Sequence, residues 1–307
     1  MMEKYLLLLS AKESQCYYSI KNTSEVSIYN IYRHLTLFER IVRKMMVVFG
    51  ISISCFYDSW KNDSSNYTKV ILEDGTIDDG IFTYLRGLYP NAQIIYWFRN
   101  SLDAVDYKKS KSLHIKHAAI CDRAMSFDQK DSLKYGYEYI ENPYVKDKTL
   151  ICSIVKYDMI FLGSDKSRFE SIMRIVRYTE RLKWNNYIYI YSRSKKDDKY
   201  VKNVFKPYRE YLSEMVQSKV ILDIVDASYQ TGYSLRVFEA LFYKKKLITN
   251  HKIIMNEAFY NRNNIYIIDP DNERTYDELD YFLSTPYVDI DDCIIRKYNF
   301  YDWIKRI

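Results

Sequence analysis

Short apolar runs alternate with longer amphipathic stretches along the chain. The short runs have the length of buried strands, and the longer stretches carry apolar residues at helical spacing, which is typical of βαβ units around a parallel sheet. The pattern predicts strands at residues 5–9, 51–56, 69–72, 92–98, 124–127, 158–162, 187–191, 220–225, 246–249 and 265–268. It predicts helices at residues 27–47, 81–88, 166–182, 206–216, 234–243 and 273–282.

The alternation weakens around residues 142–147, where Pro143 stands among several charged residues. A proline in a polar stretch is typical of a connecting segment. A chain of 307 residues also exceeds the size at which a single hydrophobic core stops growing. We therefore predict an α/β protein with two Rossmann-like domains, residues 1–150 and 151–295, followed by a terminal helix at 296–307. No sequence repeat relates the two halves.

The composition of the chain narrows the classes of protein to which it can belong. The chain is 48% hydrophobic and 28% charged, as in an ordinary folded globule. Its net charge of +6 is spread along the sequence, which disfavours a nucleic-acid-binding protein but is compatible with phosphate-bearing ligands. The five cysteines include no C-x-x-C pair, which disfavours disulfides or zinc and favours a reducing compartment. The apolar start at residues 5–9 predicts a buried strand rather than a signal peptide.

The first candidate binding segment is the turn that follows the strand predicted at 158–162. An apolar run ends there at Gly163, and Ser164, Lys166 and Arg168 precede or open the next helix. In open α/β sheets, ligands bind outside the carboxyl ends of the strands, where helix N-termini favour anions. The segment therefore predicts a phosphate site. The alternative is an ordinary helix cap with two solvated basic residues.

The second candidate segment follows the strand predicted at 220–225. A loop containing Gly232 leads into a helix capped near Ser234, and Arg236 and Glu239 share one face of that helix. A carboxylate at this position can accept hydrogen bonds from ribose hydroxyls, and an arginine can bind a diphosphate with two donors. The alternative is an intrahelical Arg236–Glu239 pair that contributes about 0.2–0.5 kcal/mol.

The stretch QTGYSLRVFEALFYKKKLIT, residues 230–249, resembles the nucleotide-sugar binding segment of GT-B glycosyltransferases. FLGSDKSRF, QTGYSLRVFEALF and NFYDWIKRI resemble bacterial glycosyltransferases of lipopolysaccharide or capsule assembly, over about residues 155–307. The resemblance implies two facing Rossmann-like domains and a terminal helix that packs back on the N-terminal domain. It implies that the donor is bound by Gly163, Ser164, Lys166, Arg168, Gln230, Gly232, Tyr233, Ser234, Arg236 and Glu239, with Glu239 on the ribose.

The resemblance also implies an activity. It implies transfer of a sugar from a nucleotide-diphosphate-sugar to a saccharide or lipid-linked acceptor in surface-glycan biosynthesis, with no metal or other cofactor. The enzyme would be cytoplasmic, with the inner face of the cell membrane as a further partner. Many GT-B enzymes carry a second glutamate seven or eight residues before the ribose glutamate, where this chain has Gly232 and Thr231. Two alternatives therefore stay open: a non-catalytic binding or assembly subunit, and another nucleotide-sugar enzyme such as an epimerase or dehydrogenase.

The N-terminal half supplies candidates for the acceptor side. Glu73 and Asp74 follow a predicted strand as site candidates, and Asp74 is our candidate for the base that deprotonates the acceptor hydroxyl, with Asp58 and His114 as alternatives. Arg99 and Asn100 follow the next predicted strand and are expected on the acceptor side. For each of these residues, the alternative is a role in a turn or a helix cap.

Two features near the C-terminus have competing interpretations. Residues 296–307 interleave aromatic with basic side chains, which indicates either the crossing helix or an interfacial helix on a membrane. We favour the crossing helix because its aromatic side chains require a dry partner. Asp289 and Asp291 resemble the metal-binding D-x-D of the other glycosyltransferase fold, but they lie beyond the second α/β half and predict a loop.

Overall fold

The computed structural model describes residues 3–11, 16–75, 77–104, 110–151, 154–193, 198–226 and 230–307. The chain forms two compact units, Met1–Glu141 and Asn142–Ile307. The change of unit lies beside Pro143, whereas the sequence placed the end of the first domain at residue 150. The acceptor and nucleotide roles assigned to the two domains stay predictions.

The first unit is a parallel sheet with helices between its strands. Its strands are β1 Tyr5–Leu9, β2 Val26–Asn30, β3 Lys69–Glu73, β4 Gln93–Phe98, β5 Arg123–Ser126 and β6 Glu138–Tyr139, and its helices are α1 Leu37–Val48, α2 Gly80–Leu88, α3 Lys111–Ile120 and α4 Gln129–Tyr135. The strand order is β2-β1-β3-β4-β5-β6, and each of these pairings is parallel. All five residues of β1 are buried, as expected for a parallel sheet with both faces covered.

The second unit has the same layered construction with a different strand order. Its strands are β7 Tyr157–Ser164, β8 Asn186–Tyr191, β9 Val201–Lys202, β10 Ser218–Asp223, β11 Lys246–Thr249 and β12 Ile265–Ile267, and its helices are α5 Phe169–Arg181, α6 Tyr208–Met215, α7 Leu235–Tyr243, α8 Leu279–Ser284, α9 Asp292–Arg296 and α10 Phe300–Trp303. The order is β12-β11-β10-β7-β8-β9, again with parallel pairings. Counted from β9, this is the 3-2-1-4-5-6 order of the Rossmann fold.

The helix predicted at residues 27–47 was wrong in its first part. Val26 and Ile28 are buried in alternation with more exposed neighbours, and this segment pairs with β1 as a strand. A run of five residues is too short for its period to separate a strand from a helix turn. Helix α1 begins after Thr36, which forms a capping box with Glu39.

Other differences concern short elements. The strand predicted at residues 51–56 is irregular chain that ends in a 3₁₀ turn, Ser54–Phe56. The helix predicted at 273–282 is a 3₁₀ turn, Glu273–Tyr276, followed by α8. Helices α3 and α4 and strands β6 and β9 were not predicted, because they are short and interrupted by polar residues. Within the described ranges, no helix is long and apolar enough to cross a membrane.

The C-terminal tail forms short helical segments with buried aromatic side chains. Tyr298, Phe300 and Trp303 are almost completely inaccessible to solvent. The Tyr298 ring packs on the rings of Phe238 and Phe259, with centroids 5.0 and 5.6 Å away. The interfacial-helix interpretation was therefore wrong, since the side chains it needs at a membrane are buried. Packing of the tail on the N-terminal domain stays a prediction.

Helix α3 carries two buried histidines. His114 Nδ1 is hydrogen bonded to the Tyr96 hydroxyl at 2.8 Å, and His117 Nε2 is hydrogen bonded to Asp79 at 2.8 Å. Burial lowers the pKa of His114 to about 4, and burial also lowers the pKa of His117. Both rings are therefore held neutral in the folded protein, while the unfolded chain protonates them at ordinary histidine pKa values.

This difference predicts loss of stability in acid. As the pH falls from about 6.5 to about 4, the unfolded chain binds protons that the folded chain does not, so the free energy of unfolding decreases. We expect His114→Gln, which keeps an acceptor for Tyr96 but does not titrate, to reduce the fall in melting temperature over this range. His34→Gln, at an exposed histidine, is the control and should follow the wild type. Equal slopes for the His114 variant and the wild type would contradict the assignment.

Candidate functional site

The strand order of the second unit creates a crevice at one defined place. From β7 the chain continues to β8 and β9 on one side, whereas β10 lies on the other side and continues to β11 and β12. The connections at the carboxyl ends of β7 and β10 therefore diverge, and ligands of open α/β sheets bind at such switch points. The two predicted binding segments follow β7 and β10, so the fold brings them to the same edge of the sheet.

The turn between β7 and α5 has an unusual backbone. Lys166 and Ser167 have φ angles of 42° and 64°, in the left-handed region that is unfavourable for residues other than glycine. Helix α5 therefore begins at Phe169 rather than at residue 166, and Asp165 Oδ1 accepts a hydrogen bond from the Phe169 N–H. Strained turns of this kind cluster at ligand-binding sites, and the N-terminus of α5 favours a bound anion here.

Two guanidinium groups converge at Gly163. Arg236 donates to the Leu162 carbonyl at 2.7 Å, and Arg168 donates to the Ser164 carbonyl at 3.1 Å. A Cβ atom on Gly163 would lie 2.1 Å from Nη2 of Arg236 and 3.3 Å from Nη2 of Arg168. A side chain at this position would displace the guanidinium of Arg236, so the glycine leaves room for that group at the end of β7.

Phe161 forms the floor beneath the two arginines. The guanidinium carbons of Arg236 and Arg168 lie 4.9 and 5.5 Å from the centroid of its ring. A ring face attracts cations, and carbonyl oxygens orient guanidinium groups without cancelling their charge. The arrangement brings two guanidinium groups together at the switch point, which suits a diphosphate.

Asp223, the last residue of β10, was not among the predicted site residues. It is completely buried, and it accepts hydrogen bonds from Ser234 Oγ at 2.7 Å and Thr249 Oγ1 at 3.3 Å. Its Oδ1 lies 3.4 Å from Nη1 of Arg236 and forms an ion pair with it. The signal in the sequence was a single acid at the end of the apolar run VIL, at the edge where ligands bind. Asp223 orients Arg236 and ties β10 to the start of α7.

The loop before α7 is held by its own side chains. Ser234 caps the helix by accepting from the N–H of Arg236, as predicted. Gln230 donates to the Gly232 carbonyl at 2.9 Å, and the Tyr233 hydroxyl donates to Glu257 at 2.8 Å. Tyr233 is buried, so its side chain anchors the loop.

Glu239 lies in a buried environment made by α6. Its carboxylate accepts hydrogen bonds from the hydroxyls of Tyr208, at 2.7 Å, and Tyr211, and its exposed fraction is 1%. Burial raises its pKa above the ordinary glutamate value. A ribose could reach this carboxylate only if the Tyr208 side chain moved, so the role of Glu239 as ribose ligand stays a prediction.

Among the predicted residues of the first unit, Asp74 follows β3, beside the switch point between β1 and β3, and Arg99 and Asn100 follow the neighbouring strand β4. Asp58 caps a 3₁₀ turn, Ser59–Asn62, and His114 lies in α3.

Glu73 accepts from the N–H and hydroxyl of Ser10, both at 2.8 Å, and forms an ion pair with Arg99. Asp74 is buried and accepts from the N–H of Asn100 at 3.3 Å. Arg99 is thus engaged by the buried carboxylate of Glu73, and the roles of Glu73, Asp74, Arg99 and Asn100 stay predictions.

Comparison with known proteins supports the fold. No family model and no curated protein matches this sequence. Among solved structures, the sucrose-phosphate synthase of Thermosynechococcus elongatus aligns over 99% of this chain and 97% of its own, with 10% identity and a TM-score of 0.55. An α1,3-fucosyltransferase aligns over 99% of this chain and 89% of its own, with 12% identity and a TM-score of 0.40. The chain has the GT-B fold.

This finding confirms the predicted α/β class and the two Rossmann-like units of the GT-B fold. Lys244 occupies the turn after α7 and has a φ of 51°. The left-handed conformation that glycine favours at a helix C-terminus is therefore kept although the residue is lysine.

The geometry at Gly163 predicts a specific defect. In Gly163→Ala the new methyl group displaces the Arg236 guanidinium from the Leu162 carbonyl, and a hydrogen bond to a charged group contributes about 1.5–3 kcal/mol. We expect the free energy of unfolding, measured by urea denaturation, to fall by about that amount.

The matched control is Gly87→Ala in helix α2, where a Cβ would meet no atom within 4 Å. This variant should be more stable than the wild type by about 0.5–1 kcal/mol, because alanine favours the helix. Equal stabilities of the two alanine variants would show that the side chain of Arg236 is not held as described.

Proposed function

We propose that this protein is a glycosyltransferase that uses a nucleotide-diphosphate-sugar as donor. One observation carries the proposal: Arg168 and Arg236 converge at Gly163, at the switch point of a Rossmann-ordered sheet. The GT-B fold of the chain is compatible with this chemistry, and the site residues supply its specific support.

The proposed mechanism assigns the arginines to the leaving group. When the bond between the sugar and the diphosphate breaks, negative charge develops on the diphosphate. Preorganised positive groups in a site of low dielectric constant stabilise such charge. Arg168, Arg236 and the N-terminus of α5 would supply this stabilisation without a metal ion.

The acceptor and the pathway rest on the sequence resemblance. The stretches around Gly163 and Glu239 resemble those of lipopolysaccharide and capsule glycosyltransferases, so we propose a saccharide or lipid-linked acceptor in surface-glycan biosynthesis. We place the enzyme in the cytoplasm at the inner face of the membrane. Asp74, at the carboxyl edge of the first sheet, is the proposed base, and Arg99 and Asn100 are proposed on the acceptor side.

Nucleotide binding is tested by a thermal-shift screen with UDP, GDP, CMP and ADP, their sugars and NAD(H). A ligand at about 100 times its Kd stabilises the folded protein by about 2.7 kcal/mol, which raises the melting temperature by several degrees. We expect one nucleoside diphosphate to raise the melting temperature. Arg168→Gln and Arg236→Gln should each weaken its binding by about 10–100-fold, because a charged hydrogen-bond donor is lost.

Arg181→Gln is the control, since Arg181 is an exposed arginine of the same helix as the proposed anion site. It should bind the nucleotide like the wild type. Stabilisation by NAD(H) alone would favour the epimerase or dehydrogenase alternative, and silence from every nucleotide would contradict the donor site.

The burial of Glu239 is an observation that favours the non-catalytic alternative. This residue is therefore tested separately. We expect Glu239→Gln to weaken nucleotide binding and sugar transfer, because a neutral amide is a weaker acceptor for ribose hydroxyls. Tyr208→Phe should keep or improve binding, since it releases one carboxylate oxygen.

Isothermal titration and a radiolabelled transfer assay measure the two effects. If Glu239→Gln binds as tightly as the wild type and Tyr208→Phe weakens binding, Glu239 has a structural role only. Nucleotide binding without transfer or donor hydrolysis would favour the binding or assembly subunit.

A further inference from the structure

Helix α1 exposes its apolar side to solvent. Leu37, Phe38, Ile41, Met45 and Val48 follow one another at helical spacing and lie on one face. The exposed fractions of Leu37, Phe38 and Val48 are 76%, 73% and 80%. A surface helix normally turns such a face toward the core. We call these five residues, with the following Phe49 and Ile51, the α1 apolar face.

A buried arginine fixes this orientation. Arg43 is 6% exposed, its guanidinium lies 4.0 Å from the centroid of the Tyr32 ring, and it forms an ion pair with Asp78 at 3.3 Å. The Tyr32 hydroxyl donates to the same carboxylate at 2.8 Å. Rotating the apolar face inward would expose this cluster and break its contacts, which is unfavourable once a charge is buried and paired. The outward direction of the apolar face is therefore built into the packing.

Basic residues border the α1 apolar face. Arg40 and Lys44 are exposed and lie one turn apart along one edge of it. Glu39 is the only acidic residue between positions 37 and 51, and it is bonded to Thr36 and Arg33. The exposed side of the helix thus combines large apolar side chains with two exposed cations.

We propose that the α1 apolar face docks on a membrane that contains anionic lipids. A helix with an apolar face and a basic edge lies in the plane of a bilayer interface, with its apolar side chains among the acyl chains and its cations at the anionic headgroups. This docking surface builds on the proposed function, because it would bring the enzyme to a lipid-linked acceptor. Vesicle binding can be measured without any sugar transfer, so a failure of the docking proposal is distinguishable from a failure of the proposed function.

Charge disfavours the other occupants of this face. In a twofold dimer through α1 the same patch is used on both copies, so Arg40 and Lys44 would be brought near their own counterparts. A specific protein partner usually requires hydrogen bonds at the interface, and the seven residues of the α1 apolar face have no polar side chains. An anionic lipid surface supplies negative headgroups for Arg40 and Lys44, and it needs no hydrogen bonds from the apolar face.

The test is flotation of the full chain with vesicles of phosphatidylcholine, with or without about 30% phosphatidylglycerol. We expect binding that requires the anionic lipid and decreases with added salt. Phe38→Ser/Phe49→Ser should weaken vesicle binding at least about tenfold. Arg40→Gln/Lys44→Gln should weaken it by about 25-fold, since each basic residue near an anionic surface contributes about fivefold.

Leu133→Ser/Tyr281→Ser is the matched control, because it removes two exposed apolar side chains far from α1 in sequence. It should bind vesicles like the wild type. Melting temperatures and nucleotide binding should be unchanged in all three double variants, which separates loss of docking from loss of folding.

Several results would overturn the proposal. They are absence of wild-type binding to the anionic vesicles, equal binding by Phe38→Ser/Phe49→Ser, or equal weakening by the control. A wild-type dimer in analytical ultracentrifugation that dissociates in Phe38→Ser/Phe49→Ser would assign the face to a second copy instead. Charge-reduced Arg40→Gln/Lys44→Gln keeps every apolar residue, so its loss of binding supports the lipid interface even if the serine variants misfold.

Discussion

The candidate site depends on the absence of one side chain. The guanidinium groups of Arg168 and Arg236 carry like charges, and they would repel each other at the end of β7 unless other groups held them there. The structure supplies backbone carbonyls, an aromatic ring beneath both groups, and the buried carboxylate of Asp223 beside one of them. The contacts of Arg236 require its guanidinium to pass where any residue larger than glycine at position 163 would place a Cβ. A protein with seven glycines in 307 residues uses one of them here.

Much of the fold could be predicted from the sequence because its strands are buried on both sides. YLLLL in β1 and VILD in β10 stand out as short apolar runs, and the helices between them carry clear helical spacing. The prediction was wrong where a short strand and a helix follow one another without a break, as in residues 27–47. There, the helix is oriented by Arg43, and a pattern of apolar residues does not show that a charged one will be buried.

The candidate site was predictable at the level of segments and less so at the level of side chains. Gly163, Arg168 and Arg236 were singled out because strand ends, helix starts and phosphate chemistry coincide in two stretches of sequence, and the fold brings them together. Asp223 was not assigned because a single acid after an apolar strand is common. The tyrosines around Glu239 come from α6, which lies 24 or more residues earlier in the chain. No local pattern reports such a contact.

The two strand orders differ at the edges of the sheets. The first unit places one strand on the outer side of its first strand, whereas the second unit places two there. Without the two-residue strand β9, the second order becomes the order of the first five strands of the first unit. The five strands that the two sheets share therefore have one arrangement, although no sequence repeat relates the halves. An edge strand can be gained or lost without moving the switch point, because the switch point lies between strands in the interior of the sheet.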